Sequence, residues 1–543
     1  MKKIFLKKAL AVLLLLIIFS LSGCRKSPQN VSSEISSETV KDNGRNYLTL
    51  LYSASDTFNP YTAKTDINRQ LCQLIYDPLL SLDNEFNPVF KIAESAVVSG
   101  KSCTVKLNSI RFSDGSNVTA DDVVYSCNLA KSTSGIYSAS LYEVKSVSAK
   151  DETTVYFSLT KNDPYFINNL TFPIIKAGSE KITDSDSVLQ PPVGSGRFKV
   201  SDDKLSLIAN DNYYGKTGNI TVIRLINAPD DESVAHYVEV GAADIYYTSI
   251  SDGNLIRMSG KKISINLNNL IYIGVNQNYG PLTESMLRQA ISTGIDRKKI
   301  CQDSFYNNAM PAEGFFNPVW NQTKSVQNIQ TQSDPQITVE ILEKIGYNKF
   351  DSKNIRTNES GEKLSFTLLV NSENRIRAVA AQQIASQLKE YGISVTVVEK
   401  TFNEYTECLK KGDFQLYLGE IRLTENMDIS SLVTEGGSAA YGLKTSDNKD
   451  KDTDNSKDSD DDSKDQTDNQ DTGSEENQCA VVINGFYGGN NTIADVASVL
   501  QTQMPVIPVC YRTGALFYND NIENINNPSA SDIYFSIGSY IYK

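Results

Sequence analysis

Residues able to do chemistry are few in this chain, and none of them falls into a catalytic spacing. Gly194-Ser195-Gly196 sets a serine between glycines. A nucleophile elbow needs G-x-S-x-G, and that spacing is missing. Gly215-Lys216-Thr217 ends like a phosphate-binding loop, yet Asn210 stands where the first glycine of such a loop belongs. The one histidine, His236, lies in a segment predicted to be helical and is expected at the surface. A Ser-His-Asp triad or a multi-histidine zinc site is therefore hard to build. The chain reads as a non-enzyme with no metal centre and no cofactor.

Beyond Cys24, cysteines stand at 72, 103, 127, 301, 408, 479 and 510. Their number is odd and no two have metal-ligand spacing, so buried single thiols are expected. Cys103 and Cys127 bracket one motif, which leaves a close approach of that pair as the alternative. One stretch invites a cation. Asp450, Asp452, Asp454, Ser456, Asp458 and Asp461 fall at the six ligand spacings of an EF-hand loop. Asn455 replaces the usual loop glycine, Asp461 replaces the bidentate glutamate, and no amphipathic helices flank the stretch. The competing reading is compositional. Thr445–Gln478 holds thirteen acidic residues against four lysines, with no apolar side chain. Such a segment cannot bury surface to offset its ordering entropy and is predicted to be disordered.

The elements that must position any site begin after an export signal. Lys2, Lys3, Lys7 and Lys8 precede an apolar run from Ala9 to Phe19, too short to span a bilayer comfortably. Leu21-Ser22-Gly23-Cys24 follows and looks like a bacterial lipobox, whose cysteine takes a diacylglycerol. The alternative is a plain secretory signal with an unmodified cysteine. Residues 24–45 are polar and read as a flexible tether. Loss of residues 1–23 removes four lysines and takes the net charge from −13 to −17. That balance argues against nucleic acid as the main partner. The 543 residues suffice for two or more lobes.

Within the folded part, Val105–Leu129 is the most legible stretch. Val105, Leu107 and Phe112 alternate as in a strand, and Ser113-Asp114-Gly115-Ser116 reads as a turn. Thr119 and Asp122 have capping-box spacing ahead of a helix with Val123, Val124 and Cys127 on its apolar face. Other predicted elements are a strand at 155–159, a helix at 233–240, a strand at 271–276 and a helix at 283–294. A strand at 364–370, a helix at 377–391 and a strand at 393–398 form a βαβ unit, which argues for an α/β lobe.

Phe112-Ser113-Asp114-Gly115 with Thr119-Ala120-Asp121-Asp122-Val123 resembles the "F.DG…TA.DV" motif of the family 5 extracellular solute-binding proteins of ABC transporters, the oligopeptide- and dipeptide-binding group. Further motifs keep that family's order. They are Asp56-Thr57-Phe58-Asn59-Pro60, Ile75-Tyr76-Asp77-Pro78-Leu79-Leu80, Pro192–Phe198, Asn212-Tyr213-Tyr214-Gly215, Gly241–Ile245, and Arg288-Gln289-Ala290 with Gly294-Ile295-Asp296-Arg297. The resemblance implies an α/β, two-lobed periplasmic-binding-protein-like fold of type II with an extra inserted subdomain and a ligand cleft between lobes. It implies lobe I at 46–85, 187–262 and 503–543, an inserted subdomain at 86–186, and lobe II at 263–502. The implied function is that of a lipid-anchored importer component on the extracytoplasmic face of the cell membrane. It would capture an oligopeptide-like solute and deliver it to permease subunits, with ATP spent elsewhere. The alternative is a surface peptide sensor or adhesion protein with no transport role.

Site residues follow from the same resemblance. Asp56, Thr57 and Phe58 stand at the family's first ligand-facing loop. In the late recognition motif Glu420 replaces the usual Trp, and Leu423 replaces the Asp that pairs with a peptide amine. Glu420 and Arg422 alternate along a predicted strand and share a face. Together they could hold a zwitterion, or they could pair with each other and brace the lobe.

Overall fold

The computed structural model describes residues 45–543 except 186, 217, 251–252, 254–255, 257, 327–332 and 444–476. The signal, Cys24, the tether before Arg45 and the EF-hand-like spacing lie outside the described residues.

Strand β1 (Tyr47–Tyr52) buries Leu48 and Leu50. A loop then enters helix α1 (Asp66–Ile75), capped by Thr65, whose side chain accepts from Asn68 N. Next come β2 (Ala93–Ser99) and β3 (Ser102–Leu107). The turn predicted at 113–116 forms with Gly115 at φ +87°, a backbone region that favours glycine. Helix α2 (Ala120–Ser132) starts where the capping box places it: Asp122 Oδ2 accepts from Thr119 N (2.9 Å) and Thr119 Oγ1 (2.8 Å). Val123 and Cys127 are fully buried beneath it. Strands β4 (Val144–Asp151) and β5 (Thr154–Leu159) complete an antiparallel sheet in the order β2-β3-β5-β4. Cys103 and Cys127 are both buried; they and the other five described cysteines form no disulfide, and of those five Cys408 alone is only partly buried.

Strands β6 (Phe198–Val200), β7 (Ser206–Ala209) and β8 (Val222–Asn227) return the chain to β1, giving a sheet in the order β1-β8-β7-β6. The β1–β8 pair is parallel. Helix α3 (Asp231–Glu239) begins two residues earlier than predicted, because Asp230 caps it through Ser233 N (2.8 Å). His236 is exposed on it, as expected.

Seven further strands build one sheet, and three short strand pairs lie apart from it. The seven are β9 (Ile245–Thr248), β10 (Lys261–Val275), β11 (Ala309–Pro311), β12 (Ser365–Asn371), β13 (Ser394–Lys400), β14 (Leu416–Arg422) and β15 (Val506–Tyr518). The order is β9-β15-β10-β14-β12-β13, with β11 on β15. Helix α4 (Arg375–Glu390) connects β12 to β13, which pair in parallel, so the predicted βαβ unit forms. All of β15 except Tyr518 is buried, and it runs antiparallel to β10 over most of its length. Near its start it pairs with the end of β10, Val506 with Gly274 and Ile507 with Ile273. At its far end β9 supplies a partner for Ala515–Tyr518, a pairing no local signal announces.

Tyr272 and Gly419 are cross-strand partners, as are Gly274 and Tyr417. The two tyrosine rings meet edge to face at 5.7 Å. A Cβ on Gly274 would overlap the Tyr417 ring, so glycine is required there for space rather than for dihedral freedom. Helix α5 (Gln478–Tyr487) is capped by Asn477, so the last two residues of the acidic segment belong to this helix and its cap. Among the described residues no helix is long and apolar enough to cross a membrane.

Candidate functional site

The chain from Gly44 onward packs as one unit, and it holds a cavity of about 90 Å³. Three parts of the chain supply its walls. Arg69, Asp77 and Ser81 come from α1 and the segment after it, with Ser529–Asp532 beside them. Tyr137 and Pro173 come from the region of the β2–β5 sheet. Asn266, Arg422 and Glu425 come from the seven-stranded sheet and the strap that follows β14. A concave space lined from distant parts of the chain, with a few convergent polar groups, is the usual place for a ligand.

Most of the wall charges have partners. Arg422 Nη2 donates to Glu425 Oε1 at 3.0 Å. Arg69 Nη1 donates to Asp66 Oδ1 (2.8 Å) and its Nε to the Ala63 carbonyl (3.1 Å). Lys91 and Asp532 pair at 2.8 Å, both largely buried. Asp77 differs: its Oδ2 is buried with no hydrogen-bond partner, and burial pushes its carboxyl up to about 6 against the opposing pull of Lys91. Ser81 Oγ is likewise buried and unpartnered.

Of the five residues expected to meet a ligand, Arg422 alone lines this cavity. Asp56 turns inward on its own loop, accepting from Thr57 N (2.8 Å), Thr65 N (2.8 Å) and Thr65 Oγ1 (2.7 Å). Thr57 Oγ1 accepts from Asn59 N (3.0 Å). Phe58 is buried and stacks on Tyr52 at 6.1 Å. Glu420 sits two residues before Arg422 on β14 but does not pair with it. Its Oε1 accepts from Asn269 Nδ2 (2.9 Å) and Arg512 Nη1 (3.0 Å), and its Oε2 lies 3.8 Å from Arg377. Both members of the Glu420–Arg512 pair are buried, at 11% and 5% side-chain exposure, where an anion between two guanidiniums offsets the loss of hydration. Leu423, at the amine-pairing position of the resemblance, is buried.

Sequence reasoning missed a polar contact beside the cavity. Residues 161–169 meet the strap 425–428 there. Asn426 Nδ2 donates to Asp163 Oδ2 (2.7 Å), and Asn426 N donates to Asn169 Oδ1 (3.2 Å). Asn168 Nδ2 donates to the Glu425 carbonyl (3.3 Å), and Lys161 Nζ to Asp428 Oδ2 (2.9 Å). The Tyr165 ring packs edge-on against Trp320 (5.0 Å) and stacks on Phe486 (5.6 Å). Burial pushes the Asp163 carboxyl up to about 6; the bond from Asn426 works against that. This contact joins the β2–β5 region to the strap carrying Glu425, so one wall of the cavity is held in register with another. Arg69 sits six residues before Ile75-Tyr76-Asp77, the only nearby sequence signal. Tyr137 and Asp163 had none.

The molecule has a two-lobed α/β fold with charged groups on the walls of its cavity, and comparison with known proteins defines its class. The profile of the bacterial extracellular solute-binding proteins, family 5 middle, matches residues 87–435, and the chain belongs to that family. It is similar to the oligopeptide-binding protein AppA of Bacillus subtilis, with 27% identity over 406 residues, 71% of this chain and 74% of that protein. The structure of that AppA in complex with a nonapeptide superimposes with a TM-score of 0.58 at 19% identity, covering 92% of this chain and all of the other. The ABC transporter substrate-binding protein CtaP of Listeria monocytogenes superimposes at 0.66 and 18% identity, covering 92% and 99%.

Proposed function

We propose that this protein is the lipid-anchored capture component of an ABC importer for an oligopeptide-like solute, handing its ligand to membrane permease subunits. The observation that supports this reading is the cavity lined from three separate parts of the chain, with charged groups of both signs on its walls. Residues 46–85, 187–262 and 503–543 serve as lobe I, 86–186 as an inserted subdomain and 263–502 as lobe II. Closing of the lobes around the solute is the signal to the permease. Arg422 meets the ligand directly. Asp56, Thr57 and Phe58 shape the loop that enters α1, and Glu420 holds β14 in place through Arg512. Cys24 carries the lipid that keeps the protein at the extracytoplasmic face of the membrane.

Native mass spectrometry of the purified protein tests the reading. A co-purified peptide, released on denaturation and sequenced, is the expected result. A protein that carries no solute and shows no melting shift with any member of a peptide library refutes it. The anchor is tested separately: Cys24→Ala should leave the membrane fraction, since one residue carries the attachment.

A further inference from the structure

Two guanidinium groups from distant parts of the chain line the cavity. Arg69 extends from α1, and Arg422 from the end of β14, more than three hundred residues later in the chain. Tyr137 lines the same cavity and lies within electrostatic reach of both.

The hydrogen bonds of this trio are incomplete. A guanidinium carries five N–H donors in a planar fork. Arg422 uses one of them on Glu425, and Arg69 uses two, on Asp66 and the Ala63 carbonyl. Among the described residues the other donors have no protein acceptor. Of the remaining acids of the wall, Asp532 pairs with Lys91 and the Asp83 carboxylate accepts from Glu85 N and Asn87 N, while burial pushes the Asp77 carboxyl up to about 6. Each guanidinium is paired with one carboxylate, Asp66 for Arg69 and Glu425 for Arg422, and keeps further N–H donors for a ligand anion. A planar carboxylate matches the guanidinium fork with two parallel bonds, a geometry an ammonium or a neutral amide cannot offer.

We propose that Arg69, Arg422 and Tyr137 form a carboxylate subsite spanning the cleft, so that the captured solute carries a free carboxylate which both arginines grip as the lobes close. The assignment rests on the cleft being the capture site. It makes the anionic end group of the ligand, rather than its amine, the group read by β14, and it fits the loss of an amine-pairing carboxylate at Leu423.

The test uses di- to penta-alanines, each as the free acid and as the C-terminal amide. They are titrated calorimetrically into the full-length protein and into Arg422→Gln and Arg69→Gln. Both arginine side chains are about half exposed, so the variants should fold, and circular dichroism checks this. Wild type should bind the acids at least about tenfold more tightly than the amides. In either variant that preference should fall below about twofold while amide affinity stays the same. Equal binding of acids and amides by wild type overturns the subsite and leaves peptide capture standing. Binding of neither series overturns peptide capture, and the subsite with it.

Discussion

Asp163→Asn isolates the contact that holds the inserted region against the strap after β14. The wild-type carboxyl is buried, and burial raises it from the ordinary aspartate value near 4 to about 6. A group raised in the folded state contributes stability that is fully present below its unfolded value and is lost as pH rises through its folded value. Asp163 therefore stabilises the fold at pH 4 relative to pH 8 by about 3 kcal/mol, at about 1.4 kcal/mol for each pH unit between the two values. The bond from Asn426 to the ionised oxygen is already contained in that value. Asparagine cannot titrate, so the stability difference, variant minus wild type, should move in the variant's favour by about 3 kcal/mol between pH 4 and pH 8. Asp77, also raised to about 6, is present in both proteins and cancels. Urea unfolding at unit pH steps reads this out through the fluorescence of Trp320, the only tryptophan, which packs on Tyr165 in the same contact. A difference flat to within about 0.5 kcal/mol across that range refutes the argument that burial governs this carboxyl.

Glu420→Gln leaves Arg512 and Arg377 without their shared anion, so the melting temperature should fall by an amount equivalent to about 1–3 kcal/mol while ligand affinity holds. Lower affinity at unchanged stability would instead place Glu420 against the ligand. Gly274→Ala should destabilise by about 1–3 kcal/mol in chemical denaturation, because the new methyl group drives into Tyr417 between β10 and β14. A neutral result would mean the ring can move aside. Replacing residues 445–476 by a short Gly/Ser linker should leave melting temperature and ligand affinity nearly unchanged, since closure entropy grows slowly with loop length. A calcium-dependent melting shift in wild type that the replacement abolishes would support the EF-hand-like spacing.

What the sequence determined by itself was local and ordered. Thr119 and Asp122 start α2 because a capping box is satisfied within one turn, and Gly115 makes the turn before it because no side chain obstructs positive φ. The βαβ unit from β12 to β13 is legible because apolar periodicity switches from two to about three and a half and back. Motifs in the family's order were enough to place the chain among the solute-binding proteins. Which side chains meet was left to the tertiary structure. Arg512 reaches Glu420 from 92 residues away, and Asn426 reaches Asp163 from 263. Same-face spacing on β14 put Glu420 and Arg422 together on paper. The register of β14 on β10, and the arrival of β15 beside them, gave Glu420 to the arginines and left Arg422 on the cavity wall. A charge's partner is set by through-space proximity after the lobes pack, and one-dimensional spacing carries no term for that distance.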